Sequence, residues 1–247
     1  MKAMIFAAGM GTRLHPVTKE IPKALVKING ITLLEIVVRR LIRFGFDEII
    51  INIHHFSDKV IEFVHSKNNF DINIQFSDES EELLDTGGGL KKAAWFFDDN
   101  KPFLVHNVDV LSDVDLNGYM DYHKRLGALA TLAVRNRTTS RYLLFDENDT
   151  LCGWQNIKTG EQIFTKRTEN KKSEYFPFAF SGIHIINPEI FKYINKTGSF
   201  SIIDVYLQLA NEHKIICYNH NESLWIDVGK IDSLNEAENL FNSLMWP

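Results

Sequence analysis

A glycine-rich turn near the N-terminus has the composition of an anion-binding loop. Residues 4–8 form a short apolar run, and Gly9-Met10-Gly11-Thr12-Arg13 follows it directly. Glycine permits unusual backbone dihedrals and lets a ligand come close, so such a turn can direct backbone N–H groups at an anion. The Arg13 guanidinium leaves the turn where phosphate oxygens would lie and can bind two of them at once. An ordinary tight turn without a ligand is the alternative that glycine spacing alone leaves open.

A second cation, Lys23, follows Pro22 shortly after this turn. The proline restricts the backbone around the lysine. A lone lysine is usually a solvated surface group, whereas a lysine placed after a glycine turn and a prolyl turn is also a candidate for stabilising charge during catalysis. The chemistry of the residue leaves both interpretations open.

Two other phosphate-binding motifs do not fit the N-terminal turn. A dinucleotide fingerprint needs a third glycine where Leu14 stands, and an acid at the end of the second strand, where Asn52 and Ile53 stand. A P-loop needs a Gly-Lys-Ser or Gly-Lys-Thr sequence after the first glycine and four further residues, and the turn lacks it.

Two aspartates follow apolar runs at a distance along the chain from this turn. Asp109 comes after the predicted strand 103–107, and Asp227 lies in the predicted strand 224–228. Ligands bind at the carboxyl ends of strands in open α/β sheets. A pair of carboxylates completed by water and phosphate oxygens suits Mg²⁺. Each aspartate taken alone is also typical of a helix cap or a turn.

The elements that must position these residues alternate between strands and helices. In the front half, strands are predicted at 4–8, 48–53, 72–76 and 103–107, and helices at 33–42, from an N-cap at Ser57, and from near Gly88. After residue 128, strands are predicted at 129–134, 142–145, 151–156, 162–165, 178–186, 214–218 and 224–228. Helices are predicted at 202–211 and 233–244, and Pro188 is predicted to open a short helix. A surface loop is predicted at 166–174.

This order predicts an α/β fold with a doubly wound, mixed but mostly parallel sheet and a β-rich insertion. We expect a single domain over 1–247, with a nucleotide-type front half at about 1–127 and a β-rich half at about 128–247.

Composition excludes several classes of protein. The chain has 247 residues, a net charge of −5 and a pI of about 6.0, which argues against nucleic-acid binding. No apolar run approaches the roughly 18–20 residues of a membrane span, and the N-terminal apolar stretch is too short for a signal peptide. The spacing of Cys152 and Cys217 is not that of metal ligands, and we expect both to be reduced thiols. A cytoplasmic protein without membrane association is expected.

The stretch AAGMGTRLHPVTKEIPKALV resembles the signature of sugar-1-phosphate nucleotidyltransferases, with Gly-x-Gly-Thr-Arg-Leu followed by Pro-Lys-x-Leu. The similarity continues in family order through 84–89, 107–109, 180–183 and 225–229, and it covers nearly the whole chain. The Thr-Gly-Gly-Gly block and the short length look most like N-acetylmuramate 1-phosphate uridylyltransferases. Heptose and mannose 1-phosphate guanylyltransferases are similar too.

The resemblance implies a reaction and a set of site residues. An oxygen of a sugar 1-phosphate would attack the α-phosphorus of an NTP, by expectation UTP, to give an NDP-sugar and pyrophosphate. Arg13 and Lys23 would be catalytic, Asp109 and Asp227 would bind Mg²⁺, and Asn107 and Gly182 would bind the sugar. The front half at about 1–127 would be the nucleotide-binding half, and the back half at about 128–247 the sugar-binding half. The implied nucleotide-binding residues are Ala8, Gly9, Gly11, Thr12, Arg13, Thr86, Gly87 and Gly88.

Three departures from the family pattern leave alternatives open. Val108 stands where a glycine is usual, Leu143 replaces the glycine of a Tyr-Gly pair, and the segment ending at Lys158 lacks a Glu-Lys-Pro motif. The alternatives are a guanylyltransferase that uses GTP and a non-catalytic nucleotide-sugar sensor. The chain ends soon after its last predicted helix, so a monomer is expected, and the base and the sugar stay open.

Overall fold

Strands and helices alternate in the front half of the chain, and strands dominate behind it. The computed structural model describes residues 1–166 and 174–240. Most of the predicted loop 166–174 and the predicted end of the last helix, 241–244, lie outside these ranges. The front half contains β1 (Lys2–Phe6), β2 (Lys27–Ile28), β3 (Ile31–Thr32), α1 (Leu33–Arg43), β4 (Glu48–Ile53), α2 (Ser57–Ser66), β5 (Asn73–Asp78), α3 (Asp85–Lys92), β6 (Phe103–Asn107), β7 (Val110–Ser112) and α4 (Leu116–Leu126).

The back half supplies most of the antiparallel strands. Its elements are β8 (Ala130–Arg135), β9 (Arg141–Phe145), β10 (Leu151–Asn156), β11 (Glu161–Phe164), β12 (Phe176–Ile186), α5 (Ile202–Leu209), β13 (Ile215–Asn219), β14 (Trp225–Asp227) and α6 (Ile231–Leu240). None of the helices in the described ranges combines the length and apolarity that crossing a membrane requires.

A ten-stranded mixed sheet forms the centre of the molecule. Its main path has the order β11-β10-β9-β12-β6-β1-β4-β5, and β8 and β13 extend it beside β12. The strands β6, β1, β4 and β5 are parallel, whereas β12 is antiparallel to β6, β8 and β9. The predicted α/β fold with a mixed sheet and a β-rich insertion is confirmed. The division into a nucleotide half and a sugar half stays a prediction.

The sheet separates two hydrophobic cores. Side chains of a strand alternate between its faces, so Ile5 of β1 packs in the core with α1 and α4, and Met4 packs in the core with α5. Both residues are fully buried. The N-terminus of α1 is capped by Thr32, whose Oγ1 accepts a hydrogen bond from the Glu35 N–H at 3.2 Å. Because both faces of the sheet are buried, its central strands are continuous runs of apolar residues.

Two predicted helix starts differ from the structure. Ser57 is the first residue of α2 and not its N-cap, because Phe56 adopts a left-handed conformation with φ 56° and takes the cap position. The helix predicted from near Gly88 begins at Asp85. Its N-terminal Gly87 N–H donates to the carbonyl of Phe200 at 2.8 Å, so a distant segment completes this helix end.

Four buried histidines predict a pH-dependent stability. Burial lowers the pKa to about 3 for His106 and His184, and to about 4 for His123 and His220. The unfolded chain therefore binds more protons below the ordinary histidine pKa of 6.5. The free energy of unfolding should fall as the pH drops from about 6.5 to 5, by on the order of 1 kcal/mol per pH unit for each histidine.

Urea unfolding midpoints at pH 7, 6 and 5 measure this slope. The variant His220→Gln removes one of the four groups and should reduce the slope. Equal midpoints at pH 7 and pH 5 would contradict the assignment of these histidines as neutral in the folded protein.

Candidate active site

The start of the glycine turn is held by a side chain of the neighbouring strand. Asn52, near the end of β4, accepts hydrogen bonds at its Oδ1 from the N–H groups of Ala7 at 2.7 Å and Ala8 at 3.3 Å. Its Nδ2 donates to Glu79 Oε1 at 2.8 Å. The turn therefore leaves the sheet in a direction set by Asn52. The polar residue within the apolar run of β4 is the one signal of this role in the sequence, where it also excludes a dinucleotide motif.

Glu79 is the second residue of this network, and it was not among the predicted site residues. Its side chain is fully buried and accepts a hydrogen bond from the Leu84 N–H at 3.1 Å through Oε2. A Cβ placed on Gly89 would lie 2.6 Å from Glu79 Oε1, so α3 needs a glycine at that point. Glu79 lies in the acidic run 78–82, which is typical of a solvated loop. The contacts that bury it come from distant segments.

The glycine turn and the lysine turn pack against each other. Gly11 adopts φ +63°, and its carbonyl accepts hydrogen bonds from Leu14 N–H at 2.9 Å and Thr18 Oγ1 at 2.7 Å. A Cβ on Gly11 would lie 3.2 Å from the Cβ of Lys23. Pro22 is extended, and Lys23 opens a 3₁₀ turn. The two cations are thus carried by adjoining turns, although Thr12 and Arg13 of the first turn are exposed.

Lys23 forms an ion pair with one of the predicted metal ligands. Its Nζ contacts Asp109 Oδ2, and the two side chains are only 11% and 15% exposed. Because both charges are mostly removed from water, their attraction is screened less than that of a surface pair. The predicted catalytic lysine and the predicted metal-binding aspartate therefore belong to one site.

The two predicted metal-binding aspartates are brought together by a pair of short strands. In the antiparallel pair β7–β14, Asp227 lies opposite Val110, and the Val228 N–H donates to the carbonyl of Asp109 at 2.9 Å. Asp227 Oδ1 accepts the Gly229 N–H at 2.8 Å. A Cβ on Gly229 would lie 2.7 Å from both Asp227 Oδ1 and Arg13 Nη2, so Arg13 and Asp227 flank this glycine.

The donor set fits a hard cation that keeps most of its water. Among the described residues, no group of three or more histidine, cysteine, aspartate or glutamate side chains could enclose a metal ion. Asp109 and Asp227 would therefore supply two carboxylates, and Mg²⁺ is commonly held by one or two carboxylates together with water and substrate phosphates. The Mg²⁺ site stays a prediction that these residues fit.

Two cavities open beside these residues. The first, which we call the loop cavity, has a volume of about 450 Å³. Six predicted site residues line it: Ala8, Gly9, Lys23, Thr86, Asn107 and Asp109. The second, which we call the arginine cavity, has a volume of about 340 Å³ and is lined by Arg13 and Asp227 among others. Asp109 borders the loop cavity and Asp227 borders the arginine cavity, and the backbone contact between their strands places the two residues side by side.

Two of the predicted nucleotide-binding glycines face the protein interior. Gly87 and Gly88 are buried, and both N–H groups donate to the carbonyl of Phe200, at 2.8 and 3.3 Å. Any side chain on Gly87 would collide with the ring of Phe200. Thr86 alone of this block borders the loop cavity. The glycines let the segment around Phe200 approach α3, and their contact with a nucleotide stays a prediction.

The two predicted sugar-binding residues are in contact. Gly182 adopts φ +75° at an irregularity in β12, and a Cβ there would lie 2.7 Å from Asn107 Nδ2. Val108 is buried and takes an ordinary negative φ, so a glycine is not needed there for the backbone. Leu143 is buried within β9, and Lys158 is exposed after β10 and borders neither cavity.

Comparison with known proteins identifies the family. The family model described as Nucleotidyl transferase matches residues 2–243. The chain belongs to this family. The predicted membership and the expectation of an enzyme are therefore confirmed.

Relatives of this nucleotidyl transferase use different nucleotides. A UTP–glucose-1-phosphate uridylyltransferase from Synechocystis is 29% identical over 96% of this chain, which spans 62% of that relative's length. An N-acetylmuramate alpha-1-phosphate uridylyltransferase from Caulobacter vibrioides is 28% identical, with 96% of this chain and 95% of the relative covered. A mannose-1-phosphate guanyltransferase from Saccharomyces cerevisiae is 28% identical over 93% of this chain and 62% of its own length.

Solved structures share the fold at lower identity. HddC from Yersinia pseudotuberculosis superposes with a TM-score of 0.76 at 22% identity, covering 97% of this chain and 99% of that one. A UDP-glucose pyrophosphorylase complexed with UDP-glucose gives a TM-score of 0.75 at 19% identity, with 98% of each chain covered. These likenesses support the fold assignment.

The contact between Gly182 and Asn107 can be tested by substitution. Gly182→Ala should lower kcat/KM for nucleotidyl transfer on the order of 10²-fold, because the new Cβ would displace the Asn107 side chain in the loop cavity. Gly160→Ala is the matched control. Gly160 has a similar φ of +76° and no atom within 4 Å of an added Cβ, so it adds the same backbone strain without the collision.

Steady-state kinetics and thermal unfolding of both variants separate the two effects. Both should be destabilised by about 1 kcal/mol or more, because L residues disfavour the left-handed conformation. Equal kinetic losses in the two variants would contradict a role for the Gly182–Asn107 contact.

Proposed function

We propose that the protein transfers a uridylyl group from UTP to a sugar 1-phosphate, producing a UDP-sugar and pyrophosphate in a Mg²⁺-dependent reaction. The observation that carries the proposal is the ion pair of Lys23 with Asp109 beside the glycine turn, together with Asp227 next to the backbone of Asp109. Arg13 flanks Asp227 at the same place. The reactants of this reaction carry negative charge, and the site presents the cations and carboxylates that such reactants need.

The reaction requires the protein to position the two substrates and to stabilise negative charge. A phosphate oxygen of the sugar 1-phosphate attacks the α-phosphorus of the NTP, the bond between that phosphorus and the bridging oxygen breaks, and pyrophosphate leaves. No side-chain nucleophile is needed. Bound Mg²⁺ would neutralise phosphate charge at Asp109 and Asp227. The Lys23 ammonium is held at the carboxylate of Asp109, and Arg13 offers a planar guanidinium to the leaving pyrophosphate.

The loop cavity supports the placement of the nucleotide. Ala8 and Gly9 border it on the side of the glycine turn, and Asn52, Glu79 and Thr86 border it on the side of α3. Backbone N–H groups of the turn can approach phosphates because Gly9 leaves open space around its Cα. The choice of UTP rests on the N-acetylmuramate alpha-1-phosphate uridylyltransferases from Caulobacter vibrioides and Neisseria meningitidis, which this chain covers over 95% and 98% of their length.

A guanylyltransferase is the second candidate, because several relatives are mannose-1-phosphate guanyltransferases. A non-catalytic nucleotide-sugar sensor is the third, suggested by the missing Glu-Lys-Pro motif. The ordinary φ of Val108 removes one of the reasons for considering a sensor. We further propose a cytoplasmic protein, since the reaction needs nucleoside triphosphates.

A pyrophosphate-release screen tests the proposal. It crosses UTP, GTP, CTP and dTTP with a panel of sugar 1-phosphates, and release is expected with UTP. Chelation of divalent cations with EDTA should abolish release, and added Mg²⁺ should restore it, because two carboxylates and phosphates together suit this ion. Release with GTP alone would favour the guanylyltransferase. Binding of nucleotide without release under any pairing would favour the sensor.

Substitutions at the convergent residues test the site. Asp109→Asn and Lys23→Ala should each lower kcat by about 10²-fold or more, the loss expected when one electrostatic stabiliser is removed. Asp98→Asn and Lys101→Ala are the controls, since both residues are exposed and neither borders a cavity described above. Near-parental kcat in both site variants would show that the site assignment is wrong.

A further inference from the structure

The arginine cavity contains more positive charge than the proposed transfer uses. Four cationic side chains border it, and only two carboxylates oppose them; the cations are Arg13, Arg135, Arg137 and Lys230, and the acids are Asp227 and Glu236. The whole chain carries a net charge of −5, so the local excess of cations runs against its general character. A cleft of one sign of charge raises the local concentration of a ligand of the opposite sign.

Two of these cations are held on the same aromatic ring. The guanidinium carbons of Arg135 and Arg137 lie 5.7 and 4.8 Å from the ring centroid of Trp225. Each guanidinium is also fixed by a carbonyl, because Arg135 Nη1 donates to Ser223 at 3.2 Å and Arg137 Nη2 donates to Phe180 at 3.1 Å. Two like charges on one ring repel each other, and an anion between them would offset that repulsion.

Both guanidiniums keep donors that the protein does not use. An arginine has five N–H donors. In residues 1–166 and 174–240, no carboxylate lies within 4.0 Å of Arg135 or Arg137. The Nε of Arg137 is buried and has no hydrogen-bond partner in the same part of the chain. Burial lowers the pKa of Arg137, as expected for a cation held partly out of water without an ion pair.

The position of this pair points to the sugar side of the site. The Trp225 indole N–H donates to the carbonyl of Ser181 at 2.9 Å, and Arg137 is bonded to the carbonyl of Phe180. These two residues precede Gly182, which contacts Asn107. On its other side the arginine cavity reaches Asp227. An acceptor whose 1-phosphate lies at the aspartates would therefore have the arginine pair within the adjoining space.

We propose that Arg135 and Arg137 bind a second anionic group of the acceptor, so that the preferred acceptor is an acidic sugar 1-phosphate. The group is an oxyanion, either a carboxylate or a second phosphate, since a planar guanidinium recognises both. The inference rests on the proposed function and adds the substrate class. Arg135 and Arg137 are in this view residues that determine specificity.

The experiment measures kcat and KM for matched acceptors in the pyrophosphate-release assay. Glucose 1-phosphate is compared with glucuronic acid 1-phosphate and with glucose 1,6-bisphosphate, and N-acetylglucosamine 1-phosphate with N-acetylmuramate 1-phosphate. These comparisons separate a carboxylate from a second phosphate. The parent protein should favour at least one acidic acceptor over its neutral counterpart by about 10-fold or more in kcat/KM, the size expected of a charge-assisted hydrogen bond.

Arg135→Gln and Arg137→Gln should each raise KM for the acidic acceptor by about 10-fold, because a charge-assisted contact is lost. KM for the NTP and kcat/KM for the neutral acceptor should stay within about twofold, since neither involves that contact. Arg137→Lys retains the charge without the planar fork and should be intermediate. Arg125→Gln is the matched control, because Arg125 also stacks on a ring, that of Tyr122 at 5.7 Å, and lies outside both cavities.

Three results would overturn the inference alone. The first is equal use of neutral and acidic acceptors by the parent protein, which would leave the proposed function intact. The second is a rise in KM for the NTP in the glutamine variants, which would assign the arginine pair to nucleotide phosphates. The third is an equal effect of Arg125→Gln. Absence of pyrophosphate with every pairing would overturn the proposed function and this inference together.

Discussion

The pairing of β7 with β14 is the contact on which the site depends. These two short strands come from opposite halves of the chain, and their register sets Asp227 beside the backbone of Asp109. Backbone N–H and C=O groups in a buried position need partners, so the pair has little freedom to shift. The location of both carboxylates is therefore set by main-chain hydrogen bonds. Lys23 can then pair with Asp109 because the lysine turn packs against the glycine turn.

The two cavities divide the surroundings of these carboxylates by charge. The loop cavity has the amide of Asn52 and the carboxylate of Glu79 in its wall, next to the glycine turn. The arginine cavity has a wall of guanidinium groups on Trp225. A reaction between two anions needs each to be held separately before they meet. A polar, hydrogen-bonding wall in the cavity at Asp109 and a cationic wall in the cavity at Asp227 provide two distinct environments.

Local patterns were sufficient to predict part of this arrangement. The glycine turn, Arg13, Lys23 and Asp109 lie in short stretches that make them candidates, and the family resemblance supplied the roles that residue chemistry alone left open. The central strands were predicted because both faces are buried and the runs are apolar. The strands β2, β3 and β7 were not predicted, since two or three residues show too little periodicity. The equally short β14 was predicted because it lies within the longer run 224–228.

The remainder depends on contacts between distant segments. Asn52 and Glu79 become partners only when β4 and the segment before α3 meet, and nothing in the acidic run around Glu79 indicates burial. Arg135 and Arg137 look like ordinary solvated cations until Trp225 is placed beneath them. The family resemblance implied that Gly87 and Gly88 bind the nucleotide, but glycine fits close packing as well as a close ligand. Their contact with Phe200 is close packing within the protein.

The hydrogen bonds to Asn52 limit which amides of the turn can serve a ligand. The N–H groups of Ala7 and Ala8 both donate to Asn52 Oδ1, and the amide nitrogen of Asn52 in turn donates to Glu79. This chain of bonds runs in one direction and ends on a carboxylate. The first two main-chain N–H groups after β1 therefore already donate to a partner within the protein. An oxyanion seated on the turn would have to draw its main-chain donors from Gly9 onward, one residue later than Ala8, with which the implied nucleotide-binding residues begin.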